Sequence, residues 1–222
     1  MFDIDVIPLA KLTSNCDERL FDSIAQSIRE KGYSIHPNAL APDLAQSLWR
    51  HVTTMEPHQF KRAGIGREND RQLNTFVRTD EVCWINGESD AGRDWLAWTS
   101  ALQQHLNRSL LLGLFSFESH FAHYAKGDFY KKHLDAFKGE ANRVLSVVVY
   151  LNPNWQAQDG GELVIYLDDN EQVRVVPGFG TVVVFLSEDF PHEVLPASRD
   201  RYSIAGWFRV NTSTADRIDP PK

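Results

Sequence analysis

The chain has 222 residues, an ordinary globular share of hydrophobic side chains and a formal net charge of −7. That length suits one well-filled domain. No stretch approaches the ~20 apolar residues of a membrane span, and the acidic balance argues against a nucleic-acid binder, which normally carries a basic excess.

The N-terminal segment MFDIDVIPLAKL carries acids where a secretory leader carries bases, so a soluble cytoplasmic protein is expected. In SNCDERLFDSIAQSIREKG, Leu20, Phe21, Ile24 and Ile28 recur at helical spacing. Ser14 or Asn15 can cap that helix and Gly32 can end it. APDLAQSLWRHVTTM repeats the pattern with Leu44, Leu48, Trp49 and Val52. AGRDWLAWTSALQQHLNRSLLLG predicts a third helix closed by Gly113, with Trp95, Trp98, Leu102 and Leu106 as a core-facing stripe. Between the second and third helices, Gly64–Leu73 reads as a long mobile loop and Thr75–Ile85 as a strand. Cys16 and Cys83 are far apart and read as free thiols in a reducing compartment.

From Phe115 onward the character changes. SFESHFAHYA, DFYKKHLD, VLSVVVYLN, GELVIYL, VRVVPG, GTVVVFLS, HEVLPAS and YSIAGWFRV are short, β-branched and aromatic, and turn residues separate them. Strands at this spacing predict a sandwich or barrel, with a jelly roll the natural candidate. The expected fold is mainly β with flanking α (α+β). One domain is expected: residues 1–113 as helical support with a substrate loop, 114–211 as the jelly-roll core and 212–222 as a polar tail. Lys126, Lys131, Lys132, Lys138 and Arg143 form a local basic patch in sequence, most simply a solvated face.

Alternation along a strand puts His133 and Asp135 of FYKKHLD on one side. A histidine and a carboxylate side by side supply two members of a metal site. A second histidine from another strand would complete a facial triad, which leaves coordination positions open for a cosubstrate and dioxygen. Of the eight histidines, His36, His51, His58 and His105 fall in the helical half, where surface or packing roles are expected. His120 and His123 lie on the strand before the motif, and His192 stands alone at the start of a later strand. Arg201 follows His192 by nine residues and opens the last strand. An arginine entering an apolar strand needs an anionic partner. That partner is either a protein acid, such as Asp200 or Glu193, or the distal carboxylate of a cosubstrate.

The order H-x-D, then H, then R resembles the iron(II)- and 2-oxoglutarate-dependent dioxygenases. HYAKGDFYKKHLD, VVVYLN, GGELVIYL, GTVVVFLSEDFPHEVLPA and RYSIAGWF are most similar to the prolyl 4-hydroxylase family, including the hypoxia-inducible-factor prolyl hydroxylases and the bacterial elongation factor Tu prolyl hydroxylase. The resemblance is dense over Phe121–Phe208 and thin over the N-terminal hundred residues. It implies a double-stranded β-helix core. It implies that His133, Asp135 and His192 hold Fe(II), and that Arg201, Tyr150 and Tyr124 line the 2-oxoglutarate pocket. It places Arg143 and Trp207 in the substrate wall, and makes Gly64–Leu73 a loop that closes over substrate.

The implied reaction hydroxylates a prolyl residue of a protein, elongation factor Tu being the candidate, with O2 consumed and 2-oxoglutarate converted to succinate and CO2. Ascorbate would serve as reductant, the protein would be a monomer, and neither nucleic acid nor membrane would be a partner. The alternatives are an oxygenase acting on a free amino acid or other small molecule, and a jelly-roll binding protein without turnover.

Overall fold

The computed structural model describes residues 15–64, 76–136, 142–168 and 170–212. The expected helices are present as α1 (Asn15–Lys31), α2 (Pro42–Thr54) and α3 (Asp90–Leu110). α1 buries Leu20, Phe21, Ile24 and Ile28, as their spacing requires. It stops at Gly32, whose left-handed φ of 78° a side chain would resist. The cap expected at Ser14 lies outside the described residues.

α3 starts at Ser89, whose Oγ accepts a hydrogen bond from Gly92 N at 3.0 Å. It ends before the expected Gly113, because Leu111 itself turns left-handed at φ 55°. The Trp95, Trp98, Leu102 and Leu106 stripe is core, as expected. Burial of side chains this large contributes ~1.5–3 kcal/mol each. The indole N–H groups of Trp95 and Trp98 donate to Ser119 Oγ and Asp17 Oδ1, each at 3.0 Å, so neither buried donor is left unpaired.

The strands are β1 (Tyr33–His36), β2 (Lys61–Arg62), β3 (Glu81–Trp84), β4 (Ser116–Tyr124), β5 (Tyr130–His133), β6 (Arg143–Tyr150), β7 (Leu163–Tyr166), β8 (Gln172–Val175), β9 (Val182–Leu186), β10 (His192–Val194) and β11 (Arg201–Arg209). β4 to β11 match the strand-rich segments read from the sequence. All the strands, β1 to β11, form two antiparallel sheets, a seven-stranded one in the order β1-β9-β6-β11-β4-β3-β2 and a four-stranded one in the order β5-β10-β7-β8. The result is mainly β with flanking α, a double-stranded β-helix.

Side-chain alternation divides the large sheet into two faces. Phe121, Leu145, Val147, Val149, Ile204 and Phe208 pack against the helices. Ala122, Tyr124, Tyr150, Val183 and Phe185 face the small sheet. The inner face is where the polar residues of the site collect.

Three expectations change. β1 was not foreseen; it pairs with β9, from Tyr33 opposite Phe185 to His36 opposite Val182. The strand expected over Thr75–Ile85 shortens to Glu81–Trp84, and Arg78 makes an isolated bridge to Tyr130. β5 ends at His133, so Asp135 occupies the bend after the strand and strand alternation does not place it. The loop expected at Gly64–Leu73, beyond Gly64, lies outside the described residues, as do Lys138, the Cys16 side chain and the tail beyond Thr212. Among the described residues no helix is long and apolar enough to cross a membrane.

Candidate active site

β10 lies between β5 and β7, and its first residue, His192, is the direct cross-strand partner of His133. Their ring centroids are 4.3 Å apart. The bend after β5 turns the Asp135 carboxylate back between them. His133 Nε2 is 3.6 Å from Asp135 Oδ1, and His192 Nε2 is 3.6 Å from Asp135 Oδ2. The ligating atoms of the three residues all lie within 4.8 Å of one another.

Each imidazole is oriented from behind. His133 Nδ1 donates to Lys131 O at 2.8 Å, and His192 Nδ1 donates to Phe190 O at 3.0 Å. That fixes the tautomer and leaves both Nε2 atoms as bases directed at the carboxylate. Ser146 Oγ donates to Asp135 Oδ2 at 2.6 Å, and Ser187 Oγ lies 2.9 Å behind Ser146. Burial alone would raise the Asp135 pKa, but the two imidazoles and the Ser146 hydroxyl hold the carboxyl well below the usual range. Burial keeps His192 neutral against the pull of Asp135. Two imidazole nitrogens and one ionised carboxylate are the donor set a ferrous ion takes.

The serine pair was not foreseen, although a lone serine inside the apolar run VLSVVV was the available signal. Ser146→Ala is expected to weaken divalent-metal affinity by about 10–100-fold, the usual cost of losing a group that orients a ligand. Titration of the purified protein with Mn(II) measures it.

Arg201, the first residue of β11, is 1% exposed. Its guanidinium lies 4.9 Å from the Tyr124 ring centroid and 5.0 Å from that of Tyr150. Nε donates to Gly161 O at 2.9 Å and Nη1 to Ser203 Oγ at 3.3 Å. Gly161 is required there. Its φ is 72°, and a Cβ would come within 3.2 Å of Arg201 Cδ and 3.0 Å of Ala197 Cβ.

The protein acids that could have neutralised Arg201 are engaged elsewhere. Asp200 accepts from Lys126 N and sits 3.5 Å from His123 Nε2, while Glu193 accepts from the Tyr166 hydroxyl at 2.5 Å. Tyr150 Oη is buried beside the guanidinium with no partner at hydrogen-bonding geometry among the described residues. Burial, opposed by Arg201, pushes that phenol up to about 12, so it remains a donor. A buried cation without a carboxylate and a phenol without an acceptor together fit an anionic ligand.

On the other side of the triad, the Arg143 guanidinium lies 3.7 Å over the Trp207 ring and donates to Glu118 Oε1 from Nε at 3.1 Å and from Nη2 at 2.7 Å. Arg143 is thus held by an acid and an indole, apart from the exposed Lys126, Lys131 and Lys132, so the basic patch seen in sequence divides. Glu118 also lies 3.6 Å from Arg209 and was not anticipated.

Behind His133, the Tyr130 ring stacks at 3.5 Å, and Arg78 sits 4.2 Å from the Tyr130 centroid while pairing with buried Asp80. Phe129 N donates to Thr79 Oγ1, and Lys131 N donates to Val77 O. Residues 77–80 therefore brace the strand that carries His133. Only their position beside β5, a tertiary feature, reveals that role.

Residues 119–209 match the model of the 2OG-Fe(II) oxygenase superfamily. A prolyl-4-hydroxylase from Pseudomonas putida has a similar structure, with a TM-score of 0.78 and 37% sequence identity, over 86% of this chain and 98% of that one. A prolyl hydroxylase from Trichoplax adhaerens, solved with a peptide fragment of the hypoxia inducible factor oxygen degradation domain, also has a TM-score of 0.78, at 27% identity over 87% and 90% of the two chains. A hypoxia-inducible factor prolyl hydroxylase from Caenorhabditis elegans is 24% identical over 204 residues, which span 84% of this chain and 28% of that relative. The chain thus covers under a third of that relative's length. With a facial donor set on the small sheet and a buried guanidinium on the large one, the chain belongs to the 2OG-Fe(II) oxygenase superfamily, in its prolyl hydroxylase branch.

Proposed function

We propose that the chain hydroxylates a prolyl residue in a protein, with His133, Asp135 and His192 holding Fe(II) and Arg201 holding the distal carboxylate of 2-oxoglutarate. The carrying observation is the buried Arg201 guanidinium, which has no ion-pair partner among the described residues yet lies against the rings of Tyr124 and Tyr150. When bound, iron and 2-oxoglutarate supply the oxidising chemistry, in which O2 places one oxygen in the substrate C–H bond and the other in succinate as CO2 leaves.

The residues of the chain position and shield. Tyr150 would donate its hydroxyl beside Arg201, so that two donors converge on the distal carboxylate. Ser146 holds Asp135 Oδ2 and keeps the carboxylate from rotating. Val183 and Phe185, both fully buried, exclude water from the inner wall. Trp207, buried with Arg143 across its ring, and Arg143 itself would form part of the wall against which the substrate lies.

The Pseudomonas and Trichoplax likenesses support a proline-bearing protein as substrate, and elongation factor Tu is the first candidate. Incubation with Fe(II), 2-oxoglutarate and that protein should add about 16 Da to one proline-containing peptide, with succinate formed in step. Succinate formed only with free amino acids or other small molecules would favour that rival. Failure to bind 2-oxoglutarate under anaerobic conditions would leave a binding module without turnover.

A further inference from the structure

His120 is unused by the chemistry described so far. It projects from β4 on the inner face, where its cross-strand neighbours are Trp84 on β3 and Ala205 on β11. Its ring centroid is 5.1 Å from that of Trp84, edge to face, and 5.5 Å from that of Trp207. Trp207 is the indole that carries Arg143. The side chain is 5% exposed, and Nδ1 is buried with no hydrogen-bond partner among the described residues.

Burial pushes the imidazole pKa down to about 3; Arg78 and Arg143 act in the same direction and Asp135 opposes them. The ring is therefore neutral, with one donor and one acceptor nitrogen. A buried polar atom without a partner is uncommon and calls for an explanation. Neither indole can satisfy it in this arrangement: each meets the imidazole through its ring. Trp84, which forms one wall, is itself half exposed. Two indoles around one unsatisfied polar atom, beside the proposed substrate wall, match a peptide segment: apolar ring contacts, and a backbone amide for the nitrogen.

Resting on the prolyl reading above, we propose that His120 is a substrate-binding residue whose Nδ1 hydrogen-bonds a peptide group of the substrate seated against Trp84 and Trp207. Replacement by phenylalanine keeps the ring and removes the polar atom. Removing an unpaired buried polar atom costs the ligand-free fold little or nothing, so a purely structural role and a binding role predict different results.

The test uses the full chain with Mn(II) and 2-oxoglutarate under anaerobic conditions, and a proline-bearing peptide that the wild type hydroxylates. His120→Phe should weaken peptide binding about tenfold, the weight of one hydrogen bond, with Tm unchanged or higher. His120→Asn, whose amide reaches the place of Nδ1, should recover most of the affinity. Equal peptide affinity in wild type and His120→Phe overturns the proposal, as does His120→Asn binding as weakly as His120→Phe. A fall in Tm together with loss of Mn(II) binding in both variants marks a packing role and also overturns it. If the wild type forms succinate but accepts no prolyl substrate, the functional reading fails and this inference fails with it; if hydroxylation proceeds and His120→Phe binds normally, only this inference fails.

Discussion

Arg201→Met abolishes stabilisation by 2-oxoglutarate while leaving the ligand-free protein within a few degrees of its original Tm. The guanidinium is wholly buried and no carboxylate neutralises it among the described residues. Its removal therefore relieves a desolvated charge and at the same time strips Gly161 O of its donor, two effects of opposite sign. A ligand present at a hundred times its dissociation constant stabilises by about 2.7 kcal/mol. For a chain of this size that is a rise of roughly 5–10 °C in Tm. Thermal melts with Mn(II), with and without 2-oxoglutarate, should show that rise in the wild type and none in Arg201→Met. A full rise in the variant would remove Arg201 from the cosubstrate pocket.

Asp135→Ala should reduce divalent-metal affinity by more than about 100-fold, beyond the loss expected for its supporting serine. The carboxylate is the only acid in the group of metal-competent side chains found among the described residues, and both imidazoles converge on it. Without it, His133 and His192 form an incomplete pair, and the Ser146 hydroxyl loses its acceptor. Mn(II) titration followed by electron paramagnetic resonance reads the affinity, and succinate formation reads turnover. Unchanged Mn(II) binding would show that the ion sits elsewhere.

The strand half of the fold was legible because β4 to β11 are runs of Val, Ile, Phe and Tyr separated by strong turn residues. β1 was not: YSIH directly follows a helix terminus and is too short to carry a period, and it is a strand because β9 offers it an edge. In the site, His133, His192 and Arg201 were marked by residue type and by their order in the chain, and the resemblance implied their roles. Asp135 was picked out for a reason the fold does not support, since the residue lies past the end of its strand and a bend returns its carboxylate to the imidazoles. Ser146, Glu118 and His120 acquire their importance from tertiary neighbours, which no single sequence displays. Their partners lie 11, 25 and 36 residues away, at Asp135, Arg143 and Trp84 respectively.

On the proposed ligand set, the pairing of His133 with His192 bears on how the protein comes to hold iron. The two imidazoles sit opposite each other on adjacent strands, 59 positions apart in the chain, and β5 is further braced by residues 77–80. Contacts this distant in sequence form only when loop closure has been overcome, which slows folding. A newly made chain therefore owns no complete ligand set until its small sheet has zipped. Iron capture then reports a finished fold, and the metal, once in place, fastens an outer strand to the strand beside it.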